Sequence, residues 1–181
     1  LQPRGSTTTY QKILLWVGAL TTFKGLPSII AFVSPLMPRM GWRFVVIGDG
    51  PHKSELEKRY PNVEFIGYQD PEPYYQQASL LIVSSLGFEN FPTVILEAMQ
   101  HGLCVIGHGI GGIAELIQHM QNGILYNSNE SLADVLMEVM ADSSEIRRLG
   151  CAGQKTFYEH YLLDTCLNNY TELYRSLTNS H

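Results

Sequence analysis

The stretch LLIVSSLGFENFPTVILEAMQHGLCVI, residues 80–106, passes from one continuous apolar run through a glycine-containing loop into a helical pattern and out into a second apolar run. Continuous runs, as opposed to alternating ones, are how strands buried on both faces of a parallel sheet read. LLIV (80–83) and CVI (104–106) are therefore strands, and Pro92 to Gln100 is the helix between them. That order is the repeating unit of a parallel sheet covered by helices.

The same alternation extends in both directions. ILLWV (13–17) and FVVI (44–47) are further strands, and VEFIG (63–67) and ILY (124–126) weaker ones. Helical patterns fall at Gly25 to Leu36, with Pro27 tolerable in the first turn, and at Lys53 to Arg59, Glu72 to Ala78 and Gly112 to His119. Ser131 to Met140, Ser144 to His160 and Asp164 to Leu177 close the chain as helices. The expected fold is α/β: a Rossmann-like, doubly wound parallel sheet of about six strands in the order 3-2-1-4-5-6. The first and fourth strands are then neighbours where the winding reverses, and a ligand crevice opens beyond their carboxyl ends. The loops that form it are Gly18–Gly25 and Ser84–Asn90.

Composition agrees with one domain. The 181 residues are 45% hydrophobic and 16% charged, enough for a sizeable core and too ordered a mixture for a disordered chain. The net charge of −5 argues against nucleic-acid binding, which calls for a basic excess. Cys104, Cys151 and Cys166 form neither a Cys-x-x-Cys pair nor a disulfide framework, so a reducing, cytoplasmic location is expected. The six histidines include no His-x-x-x-His pair, and no metal site is indicated. No apolar run approaches the ~20 residues of a membrane helix. Residues 1–11 read as a linker or tail, 12–177 as the domain and 178–181 as a second tail.

The helix after the fourth strand carries the chemistry. The amides of Thr93 and Val94 point out of its start, and with the helix dipole they make an anion site. Glu97 shares a face with Thr93 at i+4 and stands roughly 7 Å along the axis from Pro92. That is about the span from a diphosphate to the ribose hydroxyls of the same nucleotide, and a carboxylate accepts two hydrogen bonds from a vicinal diol. Glu89, in the loop before the helix, can accept from sugar hydroxyls on the far side of the diphosphate. From the residues alone a plainer assignment stands equally: Glu97 a solvated side chain, Glu89 a loop or capping acid.

ENFPTVILEAM, with Glu89 and Glu97 eight positions apart, resembles the paired-glutamate motif of the family 4 retaining glycosyltransferases, of GT-B architecture. The resemblance continues in order along the chain. VGALTTFKG (17–25) is similar to that family's glycine–arginine…lysine–glycine loop, VVIGDGPHKSELEK (45–58) to its second strand and glycine turn, and VEFIGY (63–68) to its base-pocket strand. GLCVIGHGIGGIAELIQHMQNGILY (102–126) resembles its paired-glycine loop, and FYEHYLLDTCLNNYTELYRSL (157–177) its closing helices.

The resemblance implies the C-terminal, donor-binding half of such an enzyme. Its substrate would be a nucleotide-diphosphate sugar such as a UDP-, GDP- or ADP-sugar, with no cofactor and no metal. Transfer would proceed with retention to an acceptor held by an N-terminal domain absent from this chain, and that domain would provide any peripheral membrane association. Lys24 would neutralise the diphosphate and, with Glu89, serve catalysis. Glu97 would bind ribose, and Gly67 and Tyr68 would lie against the base. Gly111 and Gly112 would let a backbone approach the donor. Gly18, Asn90, Phe91, Thr93 and Val94 complete the expected donor site.

Three positions depart from the family pattern: Asn90 stands where glycine is frequent, Ala114 where proline is, and Ala19 where the family carries an arginine. Losing that arginine removes one of two cations from the leaving diphosphate. Ala19 admits compensation by another group, altered donor chemistry, or a non-catalytic nucleotide-binding or scaffold module. A sugar-nucleotide epimerase of similar architecture fits the motif order less well. Elsewhere GDGP (48–51) reads as a turn near the crevice, since no Gly-Lys-Ser/Thr follows. His108 reads as a loop histidine, Trp16 and Cys104 as core, and Tyr74, Tyr75, Tyr158, Tyr161, Tyr170 and Tyr174 as packing residues.

Overall fold

The structure, a computed structural model, describes residues 11–178. The expected tails therefore lie almost wholly outside the described residues. Within them β1 (Ile13–Val17), β2 (Arg43–Ile47), β3 (Val63–Gly67), β4 (Leu80–Val83), β5 (Cys104–His108) and β6 (Ile124–Tyr126) form one sheet in the order β3-β2-β1-β4-β5-β6. Every pairing is parallel, with Leu14 opposite both Phe44 and Leu80. The expected fold and strand order are the observed ones.

The continuous apolar runs are explained by the two cores. Leu14, Trp16, Phe44, Val46, Leu80, Ile82, Cys104 and Ile106 point to one face. There they meet α1 (Leu26–Val33), α2 (Leu36–Met40) and α7 (Asn129–Ala141). Their neighbours Ile13, Leu15, Val45, Ile47, Leu81, Val83 and Val105 point to the other, against α4 (Glu72–Tyr75), α5 (Thr93–Gln100) and α6 (Gly111–Leu116). Successive strand residues face opposite ways, so covering both faces requires every position to be apolar. α3 (Lys53–Arg59) and α8 (Ser143–His160) complete the layers.

Several boundaries differ from expectation for local reasons. The first helix was expected to run unbroken to Leu36. It stops at Val33, and Pro35 caps a separate helix, α2, because proline has no N–H to continue the ladder. Gly41 ends α2 in a left-handed conformation at φ 68°. α6 ends at Leu116, before the expected His119, where Ile117 turns extended. α7 starts at Asn129, earlier than expected, because Ser128 and Ser131 form a reciprocal capping box. α9 (Leu163–Thr178) has no buried residue, so Tyr170 and Tyr174 are exposed and do not pack. No helix among the described residues is long and apolar enough to cross a membrane.

Candidate functional site

The two loops expected at the crevice meet beyond the carboxyl ends of β1 and β4. The Leu86 amide donates to the Phe23 carbonyl at 2.8 Å, and the Ser84 hydroxyl donates to the Lys24 carbonyl at 2.9 Å. Ser84 in turn accepts from the buried Trp16 indole at 2.9 Å, which fixes the loop to the core. Gly25, at φ 76°, allows the contact: a Cβ there would stand 1.8 Å from the Ser84 carbonyl oxygen.

This contact delivers Lys24 to Glu89. The ammonium donates to both carboxylate oxygens, at 3.0 and 2.9 Å, with the glutamate side chain 12% exposed. Ser85 donates a further hydrogen bond to Glu89 Oε1. The Ser85 carbonyl accepts from His108 Nδ1 at 2.9 Å, which places the proton on that nitrogen. His108 ends β5 and stacks on Tyr126 at 5.3 Å, so it is a strand residue bracing the acidic loop and not a loop histidine.

α5 begins at Thr93, with Pro92 as its N-cap at ψ 99°, one position before the first-turn place expected. The Ile95 amide donates to Pro92 O at 3.0 Å. The amides of Thr93 and Val94 sit in the first turn, where no intrahelical carbonyl is available. Thr93 is exposed and Val94 half-buried. Glu97, one turn in, is half-buried and accepts from the Tyr75 hydroxyl at 2.9 Å. Burial, then the charge of Glu97, pushes the Tyr75 phenol well above its ordinary value, so it stays a donor.

Gly111 and Gly112 admit a close backbone approach within this chain. Their missing Cβ atoms admit this chain's own loop: a Cβ on Gly112 would lie 2.2 Å from the Asn90 carbonyl oxygen, and one on Gly111 3.1 Å from that of Glu89. The Gly112 amide donates to the Glu89 carbonyl at 2.7 Å. The start of α6 thus holds the backbone that carries Glu89, while Asn90 and Phe91 are exposed at the rim.

A cavity of about 470 Å³ lies over the ends of β1, β2 and β3, lined among others by Gly18, Ala19, Asp49, Tyr68 and Asp70. Gly67 turns there at φ 84°, accepting from the Gly48 amide at 2.8 Å, and Tyr68 is 90% exposed. Asp49 accepts from the Gly50 amide at 2.7 Å, so GDGP is the expected turn. Ala19 is exposed, with no cation of its own to offer. Among the described residues no three His, Cys, Asp or Glu side chains gather as metal ligands.

Ser85, His108 and Tyr75 do not stand out in the sequence as site residues. Ser85 carries one signal, that it directly follows a strand end at the switch point. His108 and Tyr75 reach the site only through contacts between elements distant in sequence.

The Rossmann-like sheet of this order, the lysine–glutamate pair at the switch point and the helix N-terminus that follows agree with the C-terminal domain of a GT-B glycosyltransferase fold. The chain belongs to the family of glycosyl transferases group 1, whose model matches residues 11–142. It is similar to an exopolysaccharide phosphotransferase of Streptomyces coelicolor, 35% identical over 133 residues, which are 68% of this chain and 14% of that protein. It is 26% identical over 177 residues to the N-acetyl-alpha-D-glucosaminyl L-malate synthase of Bacillus anthracis, covering 91% of this chain and 45% of that one. Among solved structures it resembles Anabaena HepE in complex with UDP, with TM-score 0.81 and 21% identity, over 92% of this chain and 49% of HepE. The chain thus spans less than half the length of these relatives.

Proposed function

We propose that this domain binds a nucleotide-diphosphate sugar at the junction of β1 and β4. The sugar then passes, with retention, to an acceptor held by another domain. The observation that carries the reading is the bidentate Lys24–Glu89 pair beside the free first-turn amides of α5. Those amides make a fixed positive field for a diphosphate, and Lys24, neutralised here by Glu89, would add its charge on turning from the carboxylate to the phosphate. Leaving-group departure concentrates negative charge on that diphosphate, so groups already aimed there lower the barrier without reorganising. Glu89, its side chain held by Ser85 and its backbone by the Gly112 amide, would accept from sugar hydroxyls next to the phosphate once Lys24 turns to the diphosphate. Glu97 lies one turn inside the helix, at the reach of ribose. The base would enter the cavity by Gly67 and Tyr68. The reading is supported by family membership and by the UDP held in the HepE structure. It needs no cofactor, since the donor carries its own leaving group.

Ala19 favours a second reading, a nucleotide-binding module without transfer, because one cation of the family's pair is missing. The two are separated in sequence. UDP, GDP and ADP are first titrated against thermal unfolding. Saturation at ~100 times the dissociation constant adds ~2.7 kcal/mol, about 5–11 °C for a domain of this size. Glu97→Ala removes most of that gain. If all three nucleotides at millimolar levels leave the melting curve unmoved, both readings fail. If one binds, sugar transfer by the full-length protein, with and without Ala19→Arg, decides between enzyme and module.

A further inference from the structure

We infer that Tyr75 is a positioning residue for the Glu97 carboxylate, held in turn by His101 and Glu72. The inference rests on the reading of Glu97 as the acceptor of the ribose hydroxyls. It concerns a set of side chains outside the crevice, on the side of α5 that faces α4.

Two polar ties join these helices. Tyr75 Oη donates to Glu97 Oε2 at 2.9 Å, and His101 Nε2 meets Glu72 Oε1 at 2.8 Å. Glu72 and Tyr75 are one turn apart on α4, and Glu97 and His101 one turn apart at the end of α5, so the ties run side by side. Between them the Tyr75 ring lies on the His101 ring, centroids 5.6 Å apart and planes 20° from parallel. His101 Nδ1 also lies 2.8 Å from the carbonyl oxygen of Glu97 itself. Hydrogen bonds from Gln76, then from His101, hold Glu72 below the usual carboxylate range.

The consequence falls on Glu97. Its two oxygens are not equivalent: Oε2 is taken by a phenol whose ring is 1% exposed, and no described residue donates to Oε1. A glutamate with three free side-chain torsions would have to be ordered when ligand binds. The phenol orders it beforehand, which lowers the cost of binding. The buried ring holds the hydroxyl in place, and burial keeps the phenol protonated, so it retains the hydrogen it donates to Glu97. The tyrosine therefore presents one carboxylate oxygen, in one orientation, to whatever lies along the outer face of α5.

A purely structural role, α4 clamped to α5, would use the same bonds. Ribose discrimination tells the two apart. The affinity of the nucleoside diphosphate selected by the melting titration is compared with that of its 2′,3′-dideoxy analogue by isothermal calorimetry. Wild type should prefer the ribose form by about 10- to 100-fold, the value of hydrogen bonds to a charged group. Tyr75→Phe should keep its affinity for the dideoxy form and lose about 2- to 10-fold for the ribose form. Equal losses for both ligands, or no loss, overturn the positioning role while leaving the donor site standing. No discrimination by wild type overturns the ribose assignment of Glu97, and the positioning role with it. Should Tyr75→Phe melt below the assay temperature, His101→Gln removes the ring under the same phenol. It is read by the same ratio: a fall supports the role, an unchanged ratio overturns it.

Discussion

Alanine at position 112 puts a methyl group where the chain has no room for one. Its Cβ would stand 2.2 Å from the Asn90 carbonyl oxygen and 2.7 Å from that of Glu89, against 3.4 Å or more for ordinary contact. Both neighbours are backbone, so rotating a side chain does not relieve the clash; the loop at 89–90 must retreat by about an ångström from the start of α6. Overpacking of this kind costs ~1–3 kcal/mol. Alanine gains up to ~1 kcal/mol over glycine in a helix, and residue 112 is helical, so the net loss is ~0–2 kcal/mol. Stability is therefore the weaker readout. The same displacement breaks the 2.7 Å bond from the Gly112 amide to the Glu89 carbonyl and moves Glu89 off Lys24. Misplacing a working group by 1 Å costs up to ~100-fold, so a loss of about tenfold or more in affinity for the nucleotide sugar is expected. Calorimetry on Gly112→Ala, Glu89→Ala and the double variant measures it. If Gly112 acts through Glu89, its effect shrinks toward nothing once Glu89 is alanine. Wild-type affinity in Gly112→Ala, or an undiminished loss in the Glu89→Ala background, would refute the reasoning.

Two further outcomes follow from the ionisable groups. Asp142, between α7 and α8, accepts from the Ser144 hydroxyl and from the amides of Ser144 and Glu145, and those bonds hold its carboxyl below the ordinary 3.8. A depressed folded value contributes stability above the ordinary value, lost as pH falls through the folded one. Asp142→Ala should thus lower the melting temperature at neutral pH, by a margin that closes as acidification passes below the ordinary 3.8 and through the folded value; a constant margin in a pH series would contradict this. Burial pushes the Cys104 thiol up to about 12. Iodoacetamide at pH 8 should therefore label the exposed Cys151 and spare Cys104 until the chain is denatured, as peptide mass mapping would read.

Strand positions and their order were legible because both faces of the sheet are covered, and that leaves a continuous apolar signature in six short runs. Helix starts were legible to within a few residues from proline, serine and glycine chemistry, which is local. The crevice loops followed from strand order, and Lys24, Glu89 and Glu97 could be named with them through the resemblance of their motifs to the family.

What the sequence could not decide is which atoms those residues meet. Lys24 and Glu89 are 65 residues apart and pair only because a glycine at 25 lets one loop lie on the other. Gly111 and Gly112 carry no sign in the sequence that the Glu89 loop lies on them. Tyr75 read as packing, and is, yet its hydroxyl holds Glu97 across 22 residues. Periodicity reports that a side chain is buried but not against what. The partner of a polar atom is set by how the layers stack, and stacking exists only once the sheet and its helices have closed on each other.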